Sequence, residues 1–299
     1  MIPQLSPAGL AEKARWVRHR VLDMATHAKS GHVSTAYSQT ELLVALYYGG
    51  LLRVDPLQPK WAGRDRFILS KGQGGIGLYP ILADLGFFPL ETLENFAGLE
   101  NILGVHAEWN IPGIEVITGS LGHGLPLAVG MAQAAKGDGK FHKVVCLLGD
   151  AELYEGSNWE AAILAGHLEL DNLVCIIDRN GQGVLGFSEG REFASDGPRL
   201  EPLDQKFAAF GFEARIVDGH SFEAILSGLQ DFRSRASRQP LCVIARTQKG
   251  FGTDLIANRR LWHYRVPHSQ ELDAVRQQID SLASCSGFDT GTPRMEDKP

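Results

Sequence analysis

The chain has 299 residues, 44% of them hydrophobic and 21% charged, and a formal net charge of −6. That length suits one large α/β domain or two small ones, and the composition is that of a soluble globular protein. The acidic balance and the lack of a basic run argue against a nucleic-acid surface, no apolar stretch reaches the ~18 residues of a bilayer span, and the opening MIPQLSPAGLAEK lacks the basic head and apolar core of a signal peptide, so no membrane segment is expected.

Ser6-Pro7 opens the first predicted helix, with Ser as cap and Pro in the first turn. Leu10, Ala14, Val17, Val21, Ala25 and Ala28 recur at three- and four-residue steps, the period of one buried helical face, and the helix should stop near Ser30-Gly31. A second helix is predicted over 39–48. Residues 66–70 form a short strand candidate, followed by the glycine-rich KGQGGIG and a helix to Leu85. Residues 112–118 read as the lead into another strand, and GSLGHGLPLAVGMAQAA as a loop feeding an apolar, small-residue helix. Two short apolar runs then open the segments KVVCLLGDAELYEGSNWEA (143–161) and NLVCIIDRNGQ (172–182), with a helix between them. Residues 183–203 have weak periodicity and read as a long loop. Residues 214–217 and 241–245 are two more strands, separated by a helix over about 222–235. Residues 284–299 are polar and rich in Gly and Pro, which predicts a flexible tail after a single domain of residues 1–283. Cys146, Cys175 and Cys242 fall in apolar strand-like runs and Cys285 in the tail; none has C-x-x-C spacing, which fits reduced thiols in a cytoplasmic protein. The repeated β-then-α order predicts an α/β fold with a doubly wound, mostly parallel sheet and helices on both faces.

Asp150 and Asn180 stand just past the ends of two strands one crossover apart. Parallel strands point the same way, so both residues should reach one sheet edge, near a helix amino terminus. Singly, Asp150 needs only to cap a helix and Asn180 only to make an Asn-Gly turn. Together they read as hard oxygen ligands for a divalent cation holding a phosphorylated cofactor. Mg²⁺ takes few protein oxygens, and an Asp carboxylate, an Asn amide oxygen and a backbone carbonyl such as that of Gln182 would suffice. Lys71-Gly72-Gln73-Gly74-Gly75 and Gly119-Ser120-Leu121-Gly122-His123-Gly124 each follow a strand candidate and precede a helix. They either bring backbone close to an anion or make tight turns with no ligand, and neither matches the dinucleotide or P-loop pattern. His32, His106, His123 and His263 lie in loop contexts that suit proton transfer and hydroxyl recognition, or plain exposure; no zinc spacing is present. Glu152, Glu155 and Glu160 cluster where negative charge favours a helix start, and Glu155, before Gly156, is placed to face a subunit boundary.

In order along the chain, these segments resemble the amino-terminal part of transketolase, a thiamine-diphosphate enzyme family. SGHVSTAYS (30–38) resembles the family's SGHPG-type segment, and DRFILSKGQGGIGLY (65–79) its DRF-x-LS-x-GH. GVHAEWNIPGIEVITGSLGHGL (104–125) is similar to GHPE followed by PGVE and TG-x-LGQG. GDAELYEGSNWEA with DRNGQ is similar to the cofactor motif that opens with GDG and closes with N. The resemblance spans about residues 30–263. It implies the diphosphate domain of a thiamine-diphosphate fold, with Asp150, Asn180 and the Gln182 carbonyl as ligands to Mg²⁺, or to Ca²⁺ or Mn²⁺ in its place. It implies Gly149 and Ala151 at the diphosphate, Leu121 near the aminopyrimidine, and Gly119, Gln73 and Glu155 as further cofactor-binding positions. His263 would contact diphosphate or substrate, and His32 and His106 would hydrogen-bond ketose hydroxyls. Glu155 and Glu160 match glutamates at the family's dimer contact.

There are departures. Gln73 stands where the family has His and can bind phosphate oxygen without carrying charge; Ala151 replaces Gly, and Val33-Ser34 replaces Pro-Gly. They bear on substrate identity more than on cofactor binding. A full transketolase chain is longer, with a second thiamine domain that supplies the glutamate activating the aminopyrimidine, and a carboxy-terminal domain. The resemblance therefore implies the amino-terminal subunit of a split, cytoplasmic transketolase. Such an enzyme moves a two-carbon ketol unit between ketose and aldose phosphates. Its second subunit would carry the pyrimidine-binding and carboxy-terminal domains, with two copies of each chain in the assembly. Two other readings stay open: a subunit of a 2-oxoacid dehydrogenase, which would share Asp150 and Asn180 but not the SGHV and GVHAE segments, and a non-catalytic scaffold subunit that has kept the fold.

Overall fold

The computed structural model describes residues 2, 4–183, 186–187, 200–234 and 236–282. In chain order the elements are α1 (Pro7–Ala28), α2 (Val33–Ser38), α3 (Thr40–Tyr48), β1 (Arg66–Leu69), α4 (Gly75–Asp84), α5 (Gly124–Gly137), β2 (Val144–Gly149), α6 (Gly156–His167), β3 (Leu173–Arg179), β4 (Gln182–Gly183), β5 (Gly186–Phe187), α7 (Leu203–Ala209), β6 (Glu213–Asp218), α8 (Phe222–Leu229), β7 (Leu241–Arg246) and α9 (Gln270–Ser281). Five strands form one parallel sheet in the order β1-β2-β3-β7-β6, while β4 and β5 make a small antiparallel ribbon.

Strands β2, β3 and β7 are buried almost throughout, as strands covered on both faces must be. Their alternation divides the interior. Val145, Leu147, Val174, Ile176 and Val243 pack with α1, α3, α4, α8 and α9; Cys146, Leu148, Cys175, Ile177 and Ile244 pack with α5, α6 and α7. Handedness explains which helix goes where. The chain steps across the sheet in one direction from β1 through β2 and β3 to β6, and the crossovers through α5, α6 and α7 share one face. It steps back from β6 to β7, and α8 lies on the other face. The segments leaving β3 and β7 therefore diverge and leave a crevice at the strands' carboxyl ends, where open α/β sheets take their ligands.

Helix α1 begins and ends as its sequence predicts: Ser6 Oγ accepts the Gly9 N–H, and the chain leaves the helix at Lys29 with φ 52°. Residues 112–118 form no strand, contrary to expectation. Gly113 turns the chain at φ +92°, and the Thr118 hydroxyl donates to the Leu69 carbonyl at 2.6 Å, so a side chain serves that end of β1 in place of a ladder. Helix α8 ends at Leu229, earlier than expected, because Arg215 Nη1 on β6 claims the Gly228 carbonyl at 2.8 Å. Cys146, Cys175 and Cys242 are in-register neighbours on β2, β3 and β7, buried and free. The expected tail, Cys285 and most of the expected loop at 183–203 lie outside the described residues. Among the described residues, no helix is long and apolar enough to cross a membrane.

Candidate functional site

The register pairs Gly149 of β2 with Asp178 of β3, so the residues just beyond each strand end meet at the crevice. Asp150 Oδ2 accepts the Gly181 N–H at 2.7 Å and Arg179 Nη1 at 2.9 Å, and Oδ1 accepts the Ala151 N–H at 2.8 Å. Gly181 has φ +78°, a turn that favours glycine. Asn180 Oδ1 accepts the Gln182 N–H at 3.1 Å, while its Nδ2 donates to Asp178 Oδ2 at 3.3 Å. Asp150, Asn180 and Gln182 thus come together as their spacing predicts. Burial holds the Asp150 carboxyl above its ordinary range against the pull of Arg179. The Gln182 side chain is buried, yet neither its oxygen nor its nitrogen has a partner among the described residues. No group of three or more His, Cys, Asp and Glu suited to a metal occurs among the described residues. A cation here would instead draw on carboxylate, amide, carbonyl and ligand oxygens, the donor set of Mg²⁺.

Glu152 does more than favour a helix start. Its carboxylate accepts Ser70 Oγ at 2.5 Å, the Gly122 N–H at 3.0 Å and the Gly149 N–H at 3.2 Å. It joins the ends of β1 and β2 to the GSLGHG turn.

Two lysines that sequence reasoning missed provide the site's charge. Lys71, fully buried, pairs with Asp178, which also accepts Ser38 Oγ at 2.6 Å and the Thr247 hydroxyl. These contacts outweigh burial and hold Asp178 below the usual carboxylate range. Lys249, just past β7, is only 4% exposed, and no carboxylate among the described residues pairs with it. Burial, aided by Lys71, brings its pKa down to about 8, while Asp178 and Asp150 pull the other way. Its segment is anchored on all sides: Gly250 N donates to the Ser34 carbonyl, Asn258 N to the Lys249 carbonyl, and Gln248 N to His220 Nε2. Each lysine sits in a Lys-Gly pair two or three residues beyond a strand, a signal visible in the sequence but easily read as surface charge.

The histidines converge. The His32 ring centroid lies 6.1 Å from that of His106, 5.7 Å from that of His263 and 4.6 Å from that of Tyr264. Burial first, then His263 and Lys249, lowers His32 to about 3; burial, Lys249 and Lys71 lower His263 to about 4. Both are therefore neutral at pH 7, each with one donor and one acceptor nitrogen. Nδ1 of His32 and Nδ1 of His263 are buried without partners among the described residues. Gly119 borders this cluster, since a Cβ there would stand 3.9 Å from His106 Cγ. Leu121 is half-buried in the same turn, and Gln73 is half-buried in the 3-10 turn after Lys71. His123 does not join; it is exposed at the cap of α5. Glu155 and Glu160 are exposed, with Glu155 just before α6, where its side chain makes no cap bond, and closely backed by Gly122, where a Cβ would come within 2.5 Å of Glu155 Cβ. The cations suit phosphate oxygens, and the neutral imidazoles suit uncharged hydroxyls.

Residues 11–284 match the family described as transketolase, thiamine diphosphate binding domain. The chain is 37% identical over 277 residues to one of the subunits of the apulose-4-phosphate transketolase of Actinobacillus succinogenes, covering 92% of this chain and 97% of that protein. It is 36% identical to a 6-deoxy-6-sulfo-D-fructose transketolase subunit of a Clostridium species, covering 85% of this chain and 90% of that protein. Rat transketolase is 35% identical over 97% of this chain, which spans 45% of the rat protein. The transketolase structure from Campylobacter jejuni superposes with a TM-score of 0.82 at 31% identity, covering 92% of this chain and 44% of that one.

Proposed function

The chain belongs to the transketolase family through its thiamine diphosphate binding domain, and from that premise we propose that it is the amino-terminal subunit of a two-chain, Mg²⁺-dependent transketolase. The observation that carries this reading is the buried Lys249 ammonium, without a carboxylate partner among the described residues, in an anchored segment of the crevice. It is electrostatically coupled both to Asp150 and Asp178 and to the neutral histidines. A cation kept without a carboxylate partner in the interior suits an anionic ligand. The orphaned amide of Gln182 and the orphaned Nδ1 atoms of His32 and His263 fit the same ligand, since buried polar atoms call for partners.

In this reading Asp150, Asn180 and the Gln182 carbonyl hold Mg²⁺, which Ca²⁺ or Mn²⁺ can replace. Gly149, Ala151, Gln73, Lys249 and His263 line the diphosphate, and Gly119 and Leu121 lie toward the aminopyrimidine. Thiamine diphosphate, when bound, supplies the carbon nucleophile for ketol transfer. His32 and His106 orient the sugar hydroxyls; with His32 uncharged across the neutral range, its hydrogen bonds do not vary with pH there. Glu155, exposed just before α6, and Glu160, exposed on that helix, face a subunit contact. The relatives named as subunits, matched over nearly their whole lengths, support completion by a second polypeptide. In this reading that polypeptide carries the pyrimidine-binding and carboxy-terminal domains, the assembly holds two copies of each chain, and the enzyme works in the cytoplasm. Ketose and aldose phosphates are the substrates. The neutral polyol-binding rim favours ketol transfer over 2-oxoacid chemistry.

The test is reconstitution with a candidate partner polypeptide. The pair should transfer a ketol unit, and this chain alone should not. Calorimetry on the pair should show Mg²⁺-dependent thiamine diphosphate binding that Asp150→Ala abolishes. Undiminished binding by that variant would sink the metal assignment, and efficient transfer by the single polypeptide would sink the two-chain reading.

A further inference from the structure

A fourth ring stands beside the three imidazoles. Tyr264 follows the short 3-10 turn Arg260–His263. Its centroid is nearer to that of His32 than either His106 or His263, with the planes inclined at 64°. Its hydroxyl lies 2.9 Å from Ser30 Oγ, which ties the ring to the end of α1. Yet Tyr264 is 48% exposed. A tyrosine that only packed would be covered, and one that only dressed the surface would not be held both against a second ring and at its hydroxyl. Arg265, next in the chain, points elsewhere: it pairs with Glu271 at 2.6 Å and lies over the Trp262 ring at 4.3 Å. The group this turn presents beside His32 is thus the phenol ring.

We infer that Tyr264 is a specificity-determining residue for the sugar, one that walls the approach to His32 and selects ketose donors by shape. The inference rests on the ketol-transfer reading above. An aromatic face carries negative partial charge and packs well on the C–H face of a polyol, whose hydroxyls remain free for the imidazoles. Because Ser30 holds the phenol in place, the ring is a fixed wall rather than an adaptable one. A ketose with a linear chain and one with a branch near its carbonyl meet that wall differently.

The experiment uses the reconstituted two-chain enzyme with thiamine diphosphate and Mg²⁺. Wild type, Tyr264→Ala and Tyr264→Phe are compared for kcat/KM on linear and branched ketose phosphates, with cofactor half-saturation and Tm followed in parallel. Tyr264→Ala should change the ratio of kcat/KM between the two donor classes by about tenfold, the scale of shape discrimination by one pocket wall. The change should appear mainly in KM, with cofactor half-saturation unaltered. Tyr264→Phe keeps the ring but loses the tie to Ser30, so its donor ratio should fall between those of wild type and Tyr264→Ala. An unchanged donor ratio in Tyr264→Ala, or a loss that merely tracks cofactor affinity and Tm, would overturn the inference. Wild type inactive on every ketose would instead overturn the ketol-transfer reading, and this inference with it, before any variant is compared.

Discussion

His220 Nε2 accepts the Gln248 N–H at 2.8 Å, which leaves Nδ1 to donate to Glu41 Oε2, 3.0 Å away. Glu41 is in turn paired with Arg18 at 2.7 Å, and Phe251 stacks on the His220 ring at 3.6 Å. Through this chain of buried contacts the helices α1 and α3 determine where the Lys249 segment lies.

His220→Leu would leave the Gln248 N–H and a Glu41 oxygen without these partners, at about 1–3 kcal/mol for such a buried group. Urea denaturation should register a loss of that size. His220→Gln keeps an acceptor and should retain more affinity for thiamine diphosphate than the Leu variant. Equal affinities in the two variants would show that this contact does not position Lys249.

Lys249 gives two pH dependences of opposite sign. Anion affinity should fall as pH rises through about 8, where the ammonium loses its proton. Folding stability moves the other way. The folded pKa, about 8, lies below the ordinary 10.5, so between those values the unfolded chain holds a proton that the folded chain has released, and stability rises with pH. Lys249→Met should flatten both slopes. Calorimetric titration with thiamine diphosphate and urea melts on either side of pH 8 check them.

Glu152 accepts donors from three separate segments, so Glu152→Ala unties Ser70, Gly122 and Gly149 together. Three lost partners in the interior should cost about 2–4 kcal/mol. Burial already raises the pKa of this carboxyl, and Glu152→Gln, which keeps one acceptor without charge, should lose less. Thermal denaturation of both variants in the absence of ligand measures the difference, and equal melting temperatures would remove the bridging role.

The sequence disclosed those features whose physics is local. The strand ends before Asp150 and Asn180 were legible because β-branched runs stop at oxygen-bearing residues, and parallel strands must end on a common edge. Helix α1 was legible from its Ser-Pro start and its spaced apolar face. Helix α2 was not: all six of its residues are buried, so no amphipathic period marks it. Lys71 and Lys249 were not: each stands in a Lys-Gly pair just past a strand, but that pattern does not say that the fold will bury the charge. The reading of residues 112–118 failed for a related reason, since whether a segment joins a sheet depends on the neighbouring edge. Here Thr118 supplies the contact through its side chain.

His32, His106 and His263 form one cluster although more than 200 of the 299 residues separate the first from the last. During synthesis, the end of α1 is available long before the Arg260–His263 turn exists. Contacts of such sequence separation form late, after the local and intermediate pairings have reduced the entropy of closing the loop. The sheet must therefore assemble without help from the ligand, and bound cofactor can reward only a chain that has already brought its last quarter home. A truncation that spares every strand but removes the segment beyond β7 should leave a sheet that forms without its histidine cluster.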